Sequence, residues 1–286
     1  MSYNRNYIPG IAYVCLMSKA QETARFKEIN KAFLSPNSKI VLIASHRGMH
    51  YDFPENSIPA FEKAIELGID VIEIDIRHTK DNSLVIMHDA TVDRMTNGKG
   101  RVDEYTFDEL RKLRLQFNGR LTDEKIPTLE EVLTMAKGKI LVDLDIKTNC
   151  LPLVVQLVQQ TQTENTCFFF LNQPFHDKNL KEKKPELRTL VRTHSEANVD
   201  SVFTVTQTEA VHIDQKHNTV AVTTKIKNNG ARVWINALGE VDKKAAAGDL
   251  EAYGELLNNG ANMVQTDHPM LLMHYLKSKD LYFSPF

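Results

Sequence analysis

The stretch Val71–Ile76 reads Val-Ile-Glu-Ile-Asp-Ile and places two carboxylates within a run of β-branched residues. Such a run is typical of a strand buried in a sheet. Side chains alternate along a strand, so Glu73 and Asp75 are expected on one face. Ionisable groups are costly to bury unless they are paired or bind a metal. The stretch therefore predicts an interior strand that carries a polar site on one face.

Histidines stand at the ends of two further strand-like runs. His46 follows the apolar run that begins at Ile40, and His88 ends the run Leu84–His88. In a third such run, Leu141–Lys147, every second position from residue 143 is charged. These residues, Asp143, Asp145 and Lys147, are therefore expected on one face of a strand. Most of these polar residues lie toward the C-terminal end of a strand, the end that carries active sites in a parallel barrel.

Strand-like and helical patterns alternate from residue 40 onward. Helices are predicted near Ser57–Leu67 and Leu129–Lys137, with later strands at Cys167–Leu171, Thr189–Thr193, Ala210–Ile213, Arg232–Ile235 and Asn262–Gln265. This alternation predicts an α/β fold with a mainly parallel sheet. The number of units favours a TIM-type (β/α)₈-like barrel, which typically has about 250 residues. An open doubly wound sheet is the alternative, but no glycine-rich dinucleotide loop follows the first strand.

The connection from the second to the third strand is too short for a parallel crossover. Only Thr79–Ser83 separates the two runs, which predicts a β-hairpin. A two-residue turn at Asp81 and Asn82 would place His88 directly opposite Asp75. The polar residues 91–125 then form a small insertion after the third strand.

Composition restricts the class of protein. The 286 residues carry a net charge of −2, and no dense cluster of lysine and arginine suggests a nucleic-acid partner. Cys15, Cys150 and Cys167 are scattered, so neither a disulfide framework nor a cysteine-based zinc site is predicted. The sequence holds no apolar run of the length needed to span a membrane.

The N-terminal segment is predicted to be a leader that precedes the barrel domain. We assign residues 1–39 to a leader and residues 40–286 to the barrel domain. Arg5, a short apolar stretch and then small residues make 1–20 a possible signal peptide, which favours export to the periplasm or the medium. A cytoplasmic protein is the alternative.

The charged residues at the strand ends suit chemistry on a phosphate ester. Clustered carboxylates repel one another unless a cation lies among them, and oxygen ligands favour Mg²⁺ or Ca²⁺. Arg47 and Lys147 add positive charge that suits an anionic phosphate ester. Two histidines can divide proton transfer between them. Each motif alone is a common surface or salt-bridge feature, and we expect Asp143 to neutralise a buried basic group deeper in the barrel.

A longer set of motifs follows in a fixed order between about residues 40 and 275. These are His46-Arg47-Gly48, Pro54-Glu55-Asn56-Ser57, Glu73-x-Asp75, His88-Asp89, Asp93-Arg94, Thr96-Asn97-Gly98-x-Gly100, Ile126–Glu131 and Gln265–Pro269. The ordered set resembles the glycerophosphodiester phosphodiesterases of the PLC-like phosphodiesterase superfamily.

The resemblance implies a TIM-like barrel that hydrolyses small-molecule glycerophosphodiesters to an alcohol and sn-glycerol 3-phosphate. It implies His46 and His88 as the acid–base pair. Glu73 and Asp75 would be ligands of one divalent cation. The substrate-binding residues would be Arg47, Lys147 and, as part of a matched motif near the site, Asn56.

Two departures from the family pattern concern the later strands. The family usually has Glu-x-Lys where this chain has Asp145-x-Lys147, so the carboxylate is one methylene shorter. The related spider sphingomyelinase D branch also resembles this chain in using Asp there, and we assign Asp145 as the third metal ligand. In the strand that is Trp-Thr-Val-Asn in the family, only Asn236 aligns, and Trp234 is assigned no role.

Two other functions remain open. A phospholipase-D-like or sphingomyelinase-like lipid phosphodiesterase would need an apolar rim that docks on a bilayer, and no amphipathic stretch of that kind is evident. A catalytically silent barrel that binds a phosphorylated ligand would need a gap in the site, and the shortened Asp145 is its only support.

Overall fold

The computed structural model describes residues 22–283. Its strands are β1 (Leu42–Ser45), β2 (Val71–His78), β3 (Leu84–Ile86), β4 (Gln116–Phe117), β5 (Arg120–Leu121), β6 (Leu141–Ile146), β7 (Cys167–Leu171), β8 (Arg188–Arg192), β9 (Ala210–His212), β10 (Arg232–Asn236) and β11 (Met263–Thr266). The possible signal peptide at residues 1–20 lies outside the described residues and stays a prediction, as does the division of the chain at residue 39.

Helices occupy most of the connections. They are α1 (Ala24–Phe33), α2 (Ile58–Glu66), α3 (Phe107–Leu110), α4 (Leu129–Ala136), α5 (Leu151–Thr161), α6 (Pro174–Lys183), α7 (Glu196–Val205), α8 (Val220–Asn228), α9 (Glu240–Ala246), α10 (Ala252–Leu257) and α11 (Pro269–Ser278). Hydroxyl caps start several of them: the Ser57 side chain accepts from the Ala60 N–H at α2, and Thr128 forms a capping box with Glu131 at α4. Among the described helices, none is long and apolar enough to cross a membrane.

The predicted parallel barrel is confirmed. Within the described range, β1, β2 and β6–β11 pair in parallel, and β1 pairs with both β2 and β11, which closes the sheet into an eight-stranded barrel. Every one of these strands contributes an apolar side chain to one interior cluster; examples are Leu42, Phe168 and Met263. Alternate residues of each strand pack outward against the helices, which explains why the strands read as nearly continuous apolar runs.

Helix α1 closes the N-terminal end of the barrel. Phe26, Ile29 and Phe33 belong to the same cluster as the interior residues, and the ring of Phe33 stacks on Phe168 with centroids 5.1 Å apart. The buried Arg232 donates hydrogen bonds to carbonyl groups of α1 and its neighbours, among them Ala32 O at 2.5 Å. The polar rim therefore lies at the opposite, C-terminal end.

The β2–β3 hairpin forms as predicted, but its register is one residue away from our expectation. Arg77 lies opposite Val85, and the Met87 N–H donates to Asp75 O at 2.9 Å, so Met87 rather than His88 is aligned with Asp75. Asn82 adopts a left-handed φ of 63°, which lengthens the turn to three residues. The Thr79 hydroxyl accepts from the Ser83 N–H at 2.9 Å and fixes this longer turn.

The insertion after β3 has an apolar core of its own. Val92, Val102, Leu110 and Leu115 pack with residues of β3 in a cluster separate from the barrel interior. The short antiparallel pair β4–β5 lies within it. The insertion is therefore anchored at the edge of the barrel beside the end of β3, where His88 emerges.

Candidate active site

An acidic wall lies on the inner face of β2 and β6. Glu73 and Asp143 are register partners on these strands, as are Asp75 and Asp145. One carboxylate oxygen from each of Glu73, Asp75 and Asp145 lies within 4.8 Å of the others. The three predicted metal ligands are thus brought together, and the shorter side chain of Asp145 still reaches the set.

Burial and mutual repulsion control the protonation of this wall. Burial, and then Asp75 and Asp145, hold the pKa of Glu73 well above its ordinary value. Burial also raises the pKa of Asp145. Burial acts in the same direction on Asp75, but Lys147 and Arg47 outweigh it and lower the pKa of that carboxyl. A cation among the three carboxylates would relieve the repulsion, so the buried acidic triad can bind a metal ion.

Two cationic side chains border the triad. Lys147 Nζ lies 2.5 Å from Asp145 Oδ2 and 2.9 Å from Asp75 Oδ1. Arg47 has a left-handed φ of 54°, its N–H donates to Glu73 Oε2 at 3.1 Å, and its Nε lies 3.4 Å from Asp75 Oδ2. The side chains of Lys147 and Arg47 therefore lie where they could contact an anion bound beside the triad.

Asn56 is buried against the same wall. Its side-chain amide donates to Asp75 Oδ2 at 2.7 Å, and only 3% of the residue is exposed. Like Arg47, it has a left-handed φ, which asparagine tolerates better than most residues. In the structure Asn56 holds Asp75 in place, and the substrate contact that we assigned to it stays a prediction.

Each candidate catalytic histidine has a carboxylate on Nδ1. His46 follows β1, and its Nδ1 lies 2.7 Å from Asp267 Oδ1, which follows the neighbouring strand β11. His88 Nδ1 lies 2.7 Å from Asp89 Oδ1. A carboxylate accepts a hydrogen bond from Nδ1–H, so Nε2 is the nitrogen left for proton transfer in both rings.

Hydrogen bonds also tie His88 to the rest of the rim. Its carbonyl oxygen accepts from Arg77 Nε at 3.0 Å and Nη2 at 2.7 Å. The ring of His88 lies close enough to Asp145 to oppose, in part, the rise in the pKa of that carboxyl that burial causes, so it is within electrostatic reach of the acidic wall. Because β3 ends at Ile86, the one-residue change of register does not turn His88 away from the site.

Arg94 joins the insertion to the loop after β1. Its guanidinium lies 2.6 Å from Asp89 Oδ2 and 2.6 Å from Glu55 Oε1, while Glu55 also accepts from Arg47 at 3.1 Å. The hydrogen bond from Arg94 lowers the pKa of Asp89 to about 2. The support of both Arg47 and His88 therefore depends on a single arginine.

The role that we expected for Asp143 is wrong. Its Oδ1 is buried and has no hydrogen-bond partner within the described part of the chain, and burial, then Asp145, raise its pKa well above the ordinary value. A buried basic group deeper in the barrel is Arg232, whose two terminal nitrogens donate to backbone carbonyls and not to Asp143. Asp143 is thus a fourth carboxyl of the wall and not the partner of a base.

Sequence reasoning placed the main site residues but missed their supports. Asp267, Glu55 and Arg94 belong to the ordered motifs, but the sequence pattern alone assigns no role to them. Asp267 is 221 positions from His46. The sequence signal for Asp267 is its position directly after the last barrel strand. That strand lies next to the first strand once the barrel closes.

Comparison with known proteins identifies the family of the chain. The model of the "Glycerophosphoryl diester phosphodiesterase family" matches residues 46–268. A glycerophosphodiester phosphodiesterase of Caldanaerobacter subterraneus is 46% identical over 110 residues, which are 37% of this chain and 45% of that protein. The human glycerophosphodiester phosphodiesterase 1 is 46% identical over 104 residues, 35% of this chain and 31% of the human protein. The matched segments thus span less than half of these relatives.

Solved structures match over a larger part of the chain. A glycerophosphoryl diester phosphodiesterase from Parabacteroides distasonis has a TM-score of 0.78 at 26% identity, covering 91% of this chain and 93% of that one. An Oleispira antarctica phosphodiesterase, solved with the product sn-glycerol-3-phosphate, has a TM-score of 0.68 at 20% identity, covering 87% of this chain and 99% of that one, and shares the fold. With the family model matching most of the chain, the protein belongs to the glycerophosphoryl diester phosphodiesterase family.

Proposed function

We propose that the rim site hydrolyses glycerophosphodiesters to an alcohol and sn-glycerol 3-phosphate, by metal-dependent acid–base catalysis with two histidines. The observation that carries the proposal is the convergence, at one end of the barrel, of two carboxylate-supported histidines with the acidic triad. The Oleispira relative, solved with sn-glycerol-3-phosphate, supports the choice of product.

The cations beside the triad would bind the phosphoryl group. Lys147 and Arg47 are both partly buried, with 23% and 16% of their side chains exposed, so their charge is only partly screened by water. A phosphodiester bears one negative charge, and Arg47 can donate to its oxygens as a fork. These contacts would fix the phosphorus beside the acidic wall.

The acidic triad fits one divalent cation. Its ligand atoms are carboxylate oxygens without thiolates, which favours Mg²⁺ or Ca²⁺. When bound, the ion would stabilise the negative charge on the phosphoryl oxygens in the transition state. Asn56 and Lys147 hold Asp75 from two sides, so the ligand set is positioned by this chain's own side chains.

The histidines would move the protons. Nε2 of one ring takes the proton of the attacking oxygen, and Nε2 of the other gives a proton to the leaving alcohol oxygen. The attacking oxygen belongs either to water or to a neighbouring hydroxyl of the substrate, in which case a cyclic phosphate forms and is then hydrolysed. In both routes Asp267 and Asp89 stabilise the imidazolium that forms.

The test is a product-release assay with purified protein. Glycerophosphocholine, glycerophosphoethanolamine and glycerophosphoinositol are each incubated with chelator, with Mg²⁺ and with Ca²⁺. The proposal expects sn-glycerol 3-phosphate in the presence of a metal and little with chelator. Lysophosphatidylcholine and sphingomyelin vesicles serve as further substrates, because faster turnover of these lipids would favour a lipid phosphodiesterase. Binding of glycerol 3-phosphate without turnover of any substrate would favour a silent binding barrel.

A further inference from the structure

A second polar cluster lies at the mouth of the barrel, on the wall across from His46. Strand β8 is four strands away from β1 in either direction around the sheet. Its last residue, Arg192, shares a face with Leu190, which belongs to the interior cluster. The guanidinium therefore enters the mouth from the side opposite to the histidine.

Arg192 is held between a histidine and a carboxylate. Its Nη1 contacts both ring nitrogens of His212, with Nδ1 at 2.9 Å, and its Nη2 forms an ion pair with Asp214. His212 is only 4% exposed, and burial, then Arg192, hold its pKa well below the ordinary value, so the ring is a neutral neighbour. In contrast, the side chains of Arg192 and Asp214 are 20% and 21% exposed. Both side chains therefore keep some contact with solvent.

Aromatic rings connect this cluster to the acidic wall. Phe170 is the register partner of Asp145 on the neighbouring strand, and its ring centroid lies 5.8 Å from that of His212. The ring of Trp234 lies 6.1 Å from His212 on the other side and is only 1% exposed. A molecule that extends from the triad toward β8 thus passes Phe170 and then meets Arg192 and Asp214. The ring of Trp234 is buried beneath them.

The chemistry of this pair favours hydroxyl groups. A guanidinium only donates hydrogen bonds and a carboxylate only accepts them, whereas a hydroxyl does both. A quaternary ammonium group has neither a donor for Asp214 nor an acceptor for Arg192, so it would leave both members of the pair without a hydrogen bond to the ligand. We propose that Arg192 and Asp214 form a subsite for the alcohol portion of the diester and select a polyol over a cationic head group. This inference rests on the proposed function.

The test compares two diesters that differ in this portion. For wild type, kcat/KM is expected to be about tenfold or more higher for glycerophosphoinositol than for glycerophosphocholine, because a polar subsite discriminates strongly against a ligand that leaves it unpaired. Arg192→Gln and Asp214→Asn should each remove most of that preference by lowering only the glycerophosphoinositol value. Lys279→Gln, which removes an exposed, paired cation after α11, is the matched control and should keep the preference.

A binding measurement separates this proposal from the proposed function. Calorimetry with inositol 1-phosphate and with phosphocholine needs no turnover, and wild type should bind the former more tightly by about tenfold, with the difference lost in both variants. An equal effect of the variants on both ligands, or no effect on either, overturns the subsite. Absence of turnover with the binding preference intact would contradict the hydrolysis and leave the subsite standing. Asp214→Asn decides the matter if Arg192→Gln does not fold.

Discussion

His46 and Asp267 form a hydrogen-bonded pair across the seam where the first and last barrel strands meet, with Nδ1 2.7 Å from Oδ1. The second histidine has the same support at the same distance, from Asp89, which is its neighbour in sequence. One pair depends on closure of the barrel and the other on the insertion, through Arg94. The two rings are therefore oriented by different parts of the fold.

Removing the charge of Asp267 should impair catalysis without unfolding the protein. In Asp267→Asn the side-chain amide can donate a hydrogen bond to Nδ1 of His46, which favours the tautomer that carries its proton on Nε2. Without the negative charge beside it, the His46 ring would also be harder to protonate. We expect kcat to fall by about 10²- to 10⁴-fold, the range of a general acid–base contribution, with a changed pH–rate profile. Asp249→Asn, at an exposed site, is the control. A variant with wild-type kcat and pH profile would show that Asp267 does not support His46.

The acidic wall allows a matched test of metal binding. Glu73→Gln removes one of the three clustered carboxylates, and we expect its affinity for Mg²⁺ or Ca²⁺ in calorimetry to fall by more than about tenfold. Asp143→Asn is nearly isosteric and changes a carboxyl that lies outside the clustered triad, so its affinity should stay within about twofold. Equal losses in the two variants would mean that the triad is not the ligand set.

Helix α1 should contribute strongly to stability, although it precedes the first strand. Phe33→Ala removes a ring that is 1% exposed and stacked on Phe168, and it should lower the free energy of unfolding by about 3–5 kcal/mol. Leu34→Ala, next to it and 55% exposed, should change the same quantity by less than about 0.5 kcal/mol. Urea denaturation measures both. Similar values for the two would show that α1 is not packed into the barrel.

The sequence was sufficient for the barrel strands but not for contacts between distant segments. Apolar runs such as Cys167–Leu171 predicted strands with the observed bounds, because burial on both faces requires them. The hairpin register depends on the left-handed backbone conformation of Asn82. The alternation of apolar and polar residues does not predict that conformation. The packing of α1 against the N-terminal end of the barrel was also not predicted, because the apolar residues of α1 have no partner until the barrel has formed.

Asp143 and Asp267 illustrate the same limit at the site. Alternation placed Asp143 on the correct face, but it could not show that Arg232 donates to backbone carbonyls at the other end of the barrel and leaves Asp143 without a basic partner. Asp267 could be joined to His46 only by assuming that the barrel closes and brings the last strand beside the first, which local patterns do not report.

His212 should make the protein less stable in acid. Its pKa is lowered in the folded state, whereas the unfolded chain binds a proton near pH 6.5, so the free energy of unfolding falls as the pH drops below that value. Between pH 7.5 and 5.5 wild type should lose about 1 kcal/mol more than His212→Gln, which cannot titrate. Urea denaturation at the two pH values measures this difference. Identical losses would mean that the folded protein protonates His212 as readily as the unfolded chain does.

In the proposed mechanism His46 and His88 move the protons of a metal-dependent hydrolysis. The decisive measurement is the kcat for sn-glycerol 3-phosphate release, at saturating metal and substrate, in wild type, His46→Ala and His88→Ala. We expect a loss of at least about 10²-fold in each variant, with metal affinity and the melting temperature close to wild type. Near-normal kcat in either variant would contradict it.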